Sequence, residues 1–174
     1  MLTVCFHGAE STGKSVMAER LHRRHGWPVV PEFGRQYCET HGTDLAMADL
    51  LAIAEGHMAT VAAAAAAAPA VLLLDTDPLM TAAWAQMLFG EIPSSLLAYP
   101  KADLYLLFEA DVPWIADGTR FFGDRHARLR FAALAEAMLE RTGVVWERVS
   151  GTWDDRETMA EKFIARALQR GTLP

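Results

Sequence analysis

Cysteine, lysine and long uninterrupted apolar runs are scarce in this sequence of 174 residues. The two cysteines, Cys5 and Cys38, stand far apart without a second CxxC element, which argues against a disulfide scaffold or a zinc site. The longest low-charge stretch, residues 58–74, is mostly alanine and contains Pro69, so no membrane span is predicted there. Because no positively charged leader precedes the first apolar run, we expect no signal peptide and a cytoplasmic location.

The balance of charge excludes a further class of protein. The formal net charge is −6 at pH 7, whereas proteins that bind duplex nucleic acid usually carry a basic face, so no nucleic-acid partner is predicted. An apolar fraction of 52% and a charged fraction of 22% are typical of a folded globular protein. The length suits about one domain, and without repeats or linkers we predict a single domain over residues 1–174.

Short apolar runs alternate along the chain with segments of helical pattern. Strands are predicted at residues 2–7, 29–30, 70–74, 104–108 and 144–149. Helices are predicted at residues 14–24, 45–68, 78–88 and 125–141, and a final one opens at a capping box over residues 154–157. Thr43 or Asp44 is the expected cap of the second helix, and Asp124 that of the fourth. This alternation predicts an α/β fold with a parallel sheet and helices on both faces.

The phosphate-binding motif GxxxxGK[ST] is complete at residues 8–15. Glycines at its fixed positions let backbone N–H groups turn toward phosphate oxygens, and the following helix adds the positive end of its dipole. A lysine in this motif reaches the β- and γ-phosphates, and the hydroxyl after it binds Mg²⁺. The motif therefore predicts an ATP or GTP site formed by Gly8, Glu10, Ser11, Thr12, Gly13, Lys14 and Ser15.

Two carboxylates follow the most apolar of the predicted strands. Asp75 lies at its carboxyl end, the edge where ligands bind in parallel sheets, and an Asp in this place of a P-loop protein holds Mg²⁺. The alternative is that Asp75 or Asp77 caps the helix that starts at Pro78. We favour Asp75 as the metal ligand and Asp77 as the cap.

Glu32 and Arg35 follow the second predicted strand and lie on the same edge of the sheet. A phosphoryl-transfer enzyme needs a carboxylate that orients the acceptor hydroxyl and takes its proton. We assign this role to Glu32, with Asp77 as the alternative base, and Arg35 is a candidate clamp for a charged substrate group. The alternative for this pair is a simple ion pair at the start of a helix.

Arginines between residues 112 and 128 predict a lid that closes over the nucleotide. Arg120 and Arg125 are the candidate cations for the transferred phosphoryl group, whereas Arg128 and Arg130 are predicted to lie on an exposed helix face. Trp84 is spaced for a buried helix face, with stacking on a substrate base as the alternative. The six histidines lack the HxxxH and HExxH spacings, so no metal is assigned to them.

Four segments in this order resemble the ribosylnicotinamide kinase domain of NadR-type proteins: residues 8–15, 32–35, 75–77 and 114–120. The resemblance implies a P-loop NTPase fold with a five-stranded parallel sheet of order 2-3-1-4-5. It also implies ATP- and Mg²⁺-dependent phosphorylation of the 5′-hydroxyl of nicotinamide riboside. The adenine is then expected near residues 150–153, with Thr152 as a nucleotide-binding residue.

The resemblance also leads to an expectation about what the chain lacks. NadR proteins carry an adenylyltransferase domain before the kinase domain, and some carry a DNA-binding domain. Because the P-loop strand starts at Leu2, we expect neither domain in this chain. The alternative function is a regulatory P-loop ATPase that has no small-molecule acceptor, and the sequence leaves the acceptor and the oligomeric state open.

Overall fold

The computed structural model describes residues 1–115 and 124–171, which form one parallel sheet flanked by helices. The strands are β1 (Leu2–His7), β2 (Val29–Val30), β3 (Val71–Asp75), β4 (Leu104–Phe108) and β5 (Trp146–Val149). The helices are α1 (Lys14–His25), α2 (Phe33–His41), α3 (Met47–Ala65), α4 (Pro78–Phe89), α5 (Ser94–Ala98), α6 (Arg125–Thr142) and α7 (Trp153–Gly171). The strand order is β2-β3-β1-β4-β5, which confirms the predicted fold and sheet order.

The central position of β1 brings the phosphate-binding motif to the middle of the sheet. β1 pairs in parallel with β3 on one side and with β4 on the other, so that Cys5 lies beside both Leu74 and Tyr105. β3 and β4 are buried along their whole length, as expected for parallel strands covered on both faces. Their carboxyl ends, with that of β1, form the edge that carries the candidate site.

Two apolar clusters cover the two faces of the sheet. Under one face, Leu21 of α1 and Ile164 of α7 pack in the same cluster as Phe6 of β1. On the other face, α3, α4 and α6 pack together around residues such as Leu79 and Phe131. The helices of this second face also form the walls of the candidate site, so core packing fixes the shape of that site.

Two of the predicted helix starts are wrong. Asp49, inside the first turn of α3, accepts the N–H of Ala46 at 2.7 Å, so the helix begins after Ala46 and neither Thr43 nor Asp44 caps it. At α7 the capping box lies two residues earlier than predicted, over residues 152–155 instead of 154–157. The start of a helix is set by hydrogen bonds between a capping side chain and nearby backbone N–H groups. Several polar residues in each of these segments could form such bonds.

Two other helix caps are confirmed. Asp77 accepts the N–H of Leu79 at 2.9 Å at the start of α4, and Asp124 accepts the N–H of Ala127 at 2.8 Å at the start of α6. The five-residue helix α5 was not predicted, and α2 was considered only as the setting of a possible ion pair. Within the described part of the chain, no helix has both the length and the apolarity needed to cross a membrane.

Candidate active site

The phosphate-binding loop connects β1 to α1 and depends on its two fixed glycines. Gly8 has φ +127°, and a Cβ there would lie 2.5 Å from the carbonyl oxygen of Phe108. Gly13 has φ +87°, and a Cβ there would lie 2.4 Å from the ring of Trp153. Both positions combine a left-handed backbone with close neighbours, so only glycine fits them.

Lys14 lies inside the loop that it terminates. Its Nζ donates to the carbonyl oxygens of Gly8 at 2.9 Å and Ala9 at 2.7 Å, and the side chain is buried. Burial lowers the pKa of Lys14, while Glu32 and Asp75 counteract that effect by favouring the charged form. This places the ammonium group within the predicted phosphate-binding loop, and its contact with the β- and γ-phosphates stays a prediction of the motif.

Asp75 and Ser15 provide a donor set that fits Mg²⁺. Ser15 hydrogen-bonds to the Asp75 carboxylate, whose Oδ1 is buried without a hydrogen-bond partner among the described residues. Burial, with the nearby charge of Glu32, raises the pKa of Asp75 to about 6, and Lys14 partly opposes the shift. A buried carboxylate oxygen that lacks a proton donor and lies beside a hydroxyl is suited to a hard divalent cation.

Asp77 is committed to structural contacts. Its Oδ1 accepts the N–H of Leu79, and its Oδ2 accepts the hydroxyl of Tyr105. Burial raises the pKa of Asp77, and the side chain is not among the described residues that line the adjacent cavity. The arrangement favours Glu32 over Asp77 as the candidate base.

A cavity opens between the phosphate-binding loop and helices α2, α3, α4 and α6. Glu32 and Arg35 both line it, and they form an ion pair in which Arg35 Nη2 lies 3.4 Å from Glu32 Oε2. The side chains of Arg35 and Glu32 keep 35% and 27% of their surface exposed, which leaves them accessible to a molecule in the cavity. The ion pair and the proposed roles in substrate binding are therefore compatible.

Aromatic side chains form the wall opposite the loop. Trp84 and Phe131 both line the cavity, with ring centroids 4.6 Å apart and planes at 54°. Trp84 also packs against the apolar core together with Met80 and Met87, as its helical spacing predicts. Because the ring of Trp84 both packs against the core and borders the cavity, core packing and stacking on a substrate base do not exclude each other.

The lid residues are placed only in part. Arg120 lies outside the described residues, and Arg125, the first residue of α6, is exposed and absent from the described lining of the cavity. The predicted exposure of Arg130 is confirmed, but that of Arg128 is wrong. Arg128 is buried because the carbonyl oxygens of Val112 and Ser11 accept hydrogen bonds from its guanidinium, at 2.9 and 3.2 Å.

The segment that follows β5 holds one predicted residue and one that the prediction missed. Thr152 caps α7 by accepting the N–H of Asp155 at 3.2 Å, and it is not among the described residues lining the cavity. Arg156 was not singled out, although its guanidinium is fully buried behind the phosphate-binding loop. The sequence held a signal for it, because Arg156 shares an i, i+4 helix face with the buried Ala160 and Ile164.

Several cavity residues have no sequence signal that points to a site. They come from α2, from the connection to α3, and from α3, α4 and α6, and they share only an apolar or small side chain: Cys38, Leu45, Leu50, Ile53, Thr81 and Phe131. Such residues satisfy the pattern of a buried helix face equally well. Only the packing of the helices shows that they face a common cavity.

Comparison with known proteins agrees with this architecture. Residues 3–156 match the family described as "AAA domain". The trifunctional NAD biosynthesis/regulator protein NadR of Escherichia coli (strain K12) is 34% identical over 154 residues, which are 84% of this chain and 38% of that protein. The chain therefore spans less than half the length of this curated relative.

Solved structures of NadR share the fold. The structure of NadR in complex with NR has a TM-score of 0.78 at 22% identity and is matched over 97% of this chain and 50% of that one. The structure of NadR in complex with NAD and AMP-PNP has a TM-score of 0.75 at 20% identity, over 97% and 49%. The resemblance to the kinase domain of NadR-type proteins, expected from four sequence segments, is confirmed.

Proposed function

The chain belongs to the AAA domain family, and 84% of its own length matches NadR. We therefore propose that it is a kinase acting on nicotinamide riboside. It transfers the γ-phosphoryl group of ATP to the 5′-hydroxyl of the riboside. The observation that carries the proposal is a complete phosphate-binding loop that opens on a cavity containing Glu32 and Arg35. NadR structures with NR and with AMP-PNP support the choice of acceptor and of ATP.

On the acceptor side, we assign the proton transfer to Glu32. Its carboxylate orients the 5′-hydroxyl and accepts its proton as the oxygen attacks phosphorus. Arg35, held beside Glu32, binds a polar or charged group of the acceptor. Trp84 and Phe131 provide a flat apolar surface against which an aromatic base packs.

On the phosphate side, backbone N–H groups of residues 10–14 and the ammonium of Lys14 hold the β- and γ-phosphates. Ser15 and Asp75 would hold Mg²⁺, which would neutralise charge on the transferred group. Thr152 stays a candidate for contact with the nucleotide. These roles follow from the motif together with the position of each side chain at the carboxyl edge of the sheet.

We further propose that residues 112–128 act as a lid on a single domain covering residues 1–174. In this proposal Arg125, which is exposed in the present arrangement, approaches the γ-phosphoryl group when the lid closes, and Arg120 is the second candidate cation. The reaction needs neither nucleic acid nor a membrane. A cytoplasmic location, where ATP is available, remains a prediction of the sequence.

The proposal is tested by ADP release from ATP and Mg²⁺ in the presence of a panel of ribonucleosides. We expect strong stimulation by nicotinamide riboside, with product mass increased by one phosphate. Stimulation by a different nucleoside would keep the mechanism and replace the acceptor. A slow hydrolysis that no nucleoside stimulates would contradict the kinase and favour a regulatory P-loop ATPase.

A further inference from the structure

The carbonyl side of the phosphate-binding loop is contacted by a buried arginine from α7. The guanidinium of Arg156 is fully buried and donates from Nη1 to the carbonyl oxygen of Thr12 at 3.0 Å. It also donates to the carbonyl oxygens of Gly151 at 2.9 Å and Glu109 at 3.2 Å, and it pairs with Asp111. This side chain therefore connects the loop to the ends of both β4 and β5.

A second buried arginine reaches the neighbouring carbonyl from α6. Arg128 donates from Nη2 to the carbonyl oxygen of Ser11 at 3.2 Å and from Nη1 to that of Val112 at 2.9 Å. Ser11 is also held by its side chain, whose Oγ accepts the N–H of Ile115 at 2.8 Å. Two arginines from different helices thus hold consecutive carbonyl groups of the loop.

The direction of these carbonyls determines the direction of the phosphate-binding N–H groups. In a trans peptide the C=O and N–H bonds point in opposite directions, and the described chain has no cis peptide. A donor that holds the carbonyl of Ser11 or Thr12 on one side therefore turns the next N–H, of Thr12 or Gly13, to the other side. The loop needs such support because Ser11 has φ +56°, a strained conformation for a residue other than glycine.

We propose that Arg128 and Arg156 are positioning residues that aim the N–H groups of Thr12 and Gly13 at the bound phosphates. The inference rests on the proposed function in that it takes this loop to be a phosphate site. Arginine suits the task because its planar fork donates to several carbonyls at once. Lysine would keep the charge, but its single ammonium group cannot reproduce the fork.

The test measures binding of inorganic tripolyphosphate without Mg²⁺ by titration calorimetry, in Arg156→Lys and Arg128→Lys. Matched controls are Arg166→Lys on α7 and Arg130→Lys on α6, which replace exposed arginines of the same helices. We expect Kd to rise about tenfold in each positioning variant, the equivalent of roughly one charge-assisted hydrogen bond. The controls should stay within about twofold, as expected for surface charges.

A second readout separates positioning from general stability. We expect the KM for ATP to rise in both variants while the KM for nicotinamide riboside stays unchanged. Wild-type affinity in both lysine variants would overturn the inference, because charge alone would then suffice. A lowered melting temperature with unchanged Kd would overturn it as well. If circular dichroism shows that Arg156→Lys does not fold, Arg128→Lys decides by the same criteria.

The wild-type protein serves as the reference that distinguishes this inference from the proposed function. Tight binding of tripolyphosphate without phosphorylation of nicotinamide riboside would contradict the proposed function. The Kd values of the two lysine variants would then still decide the role of the two arginines. A wild-type protein that does not bind tripolyphosphate would overturn both.

Discussion

The phosphate side and the acceptor side of the candidate site are built in different ways. The phosphate side uses eight consecutive residues, 8–15, whose shape depends on glycines and on bonds to nearby carbonyls. The acceptor side draws its residues from four helices and from the segments that precede α2 and α3, between Glu32 and Phe131 along the chain. Under the proposed function, local sequence thus encodes phosphate binding, whereas tertiary packing shapes the acceptor side. Substitutions on the first side should impair every reaction with ATP, and those on the second only acceptor-dependent steps.

The largest effect is expected for Lys14→Ala on the phosphate side. Loss of the ammonium group at the reacting phosphates should lower turnover by roughly 10³-fold or more, with the fold retained. Steady-state kinetics and circular dichroism check this outcome, and Lys162→Ala on α7 is the matched control. Turnover equal to that of the wild type would contradict the role of the phosphate-binding loop.

On the acceptor side, Glu32→Gln should lower kcat by about 10²–10³-fold because it removes the proposed general base and keeps the side-chain shape. The KM for ATP should not change, which is the mark of an acceptor-side residue. Glu39→Gln, at an exposed position on α2, the helix that directly follows Glu32, is the control. An unchanged rate in Glu32→Gln would instead make Asp77 the better candidate.

Asp75→Asn should separate stability from function. The pKa of Asp75 is raised from 3.8 to about 6, so the folded state holds the proton more tightly than the unfolded state does. Its stability contribution is therefore favourable below about pH 4 and is lost as the pH rises through 6. We expect Asp75→Asn to stabilise the ligand-free protein at pH 8 by on the order of 3 kcal/mol, and not at pH 4.

Urea denaturation at the two pH values measures this difference, with the exposed Asp154→Asn as control. The same Asp75→Asn variant should lose Mg²⁺-dependent turnover. In the wild type, Mg²⁺ affinity should fall as the pH drops below about 6, since metal binding requires the ionised carboxylate. A variant that is less stable than the wild type at pH 8 would contradict the raised pKa of Asp75.

The smallest effect is expected for Trp84→Leu, which removes one of the two aromatic rings that line the cavity and keeps an apolar side chain. The KM for nicotinamide riboside should rise roughly tenfold, in line with the contribution of stacking a base on an aromatic ring. The KM for ATP in the same preparation is the internal control. A rise in the KM for ATP as well as in the KM for nicotinamide riboside would contradict the independence of the phosphate side and the acceptor side.

Much of the fold was predictable because its signals are local. Buried parallel strands are continuous apolar runs, and Gly90 follows α4 as predicted, whereas α3 ends at Ala65, three residues before its predicted end at Ala68. The exact helix starts were less predictable, as at Ala46, because neighbouring polar residues offer alternative caps. The predicted exposure of Arg128 was wrong because an arginine on a helix is usually exposed. The carbonyl groups that bind Arg128 belong to Val112 and Ser11, outside its own helix, so no local pattern indicates them.

For the site, the sequence was most informative where function demands particular residue types. The loop, Asp75, Glu32 and Arg35 could be named because phosphate, metal and proton transfer each restrict the choice of side chain. The acceptor wall could not, since Phe131 has the same periodicity whether it faces a cavity or the core. Its role depends on the way α6 packs against α4, which no local pattern specifies.

The most direct test of the central claim compares nicotinamide riboside with its 5′-deoxy analogue as acceptors for ATP, with products identified by mass spectrometry. We expect the riboside to gain one phosphate and to stimulate ADP release, whereas the analogue, which lacks the acceptor hydroxyl, should gain none. Equal ADP release with and without the riboside, and no phosphorylated product, would contradict it.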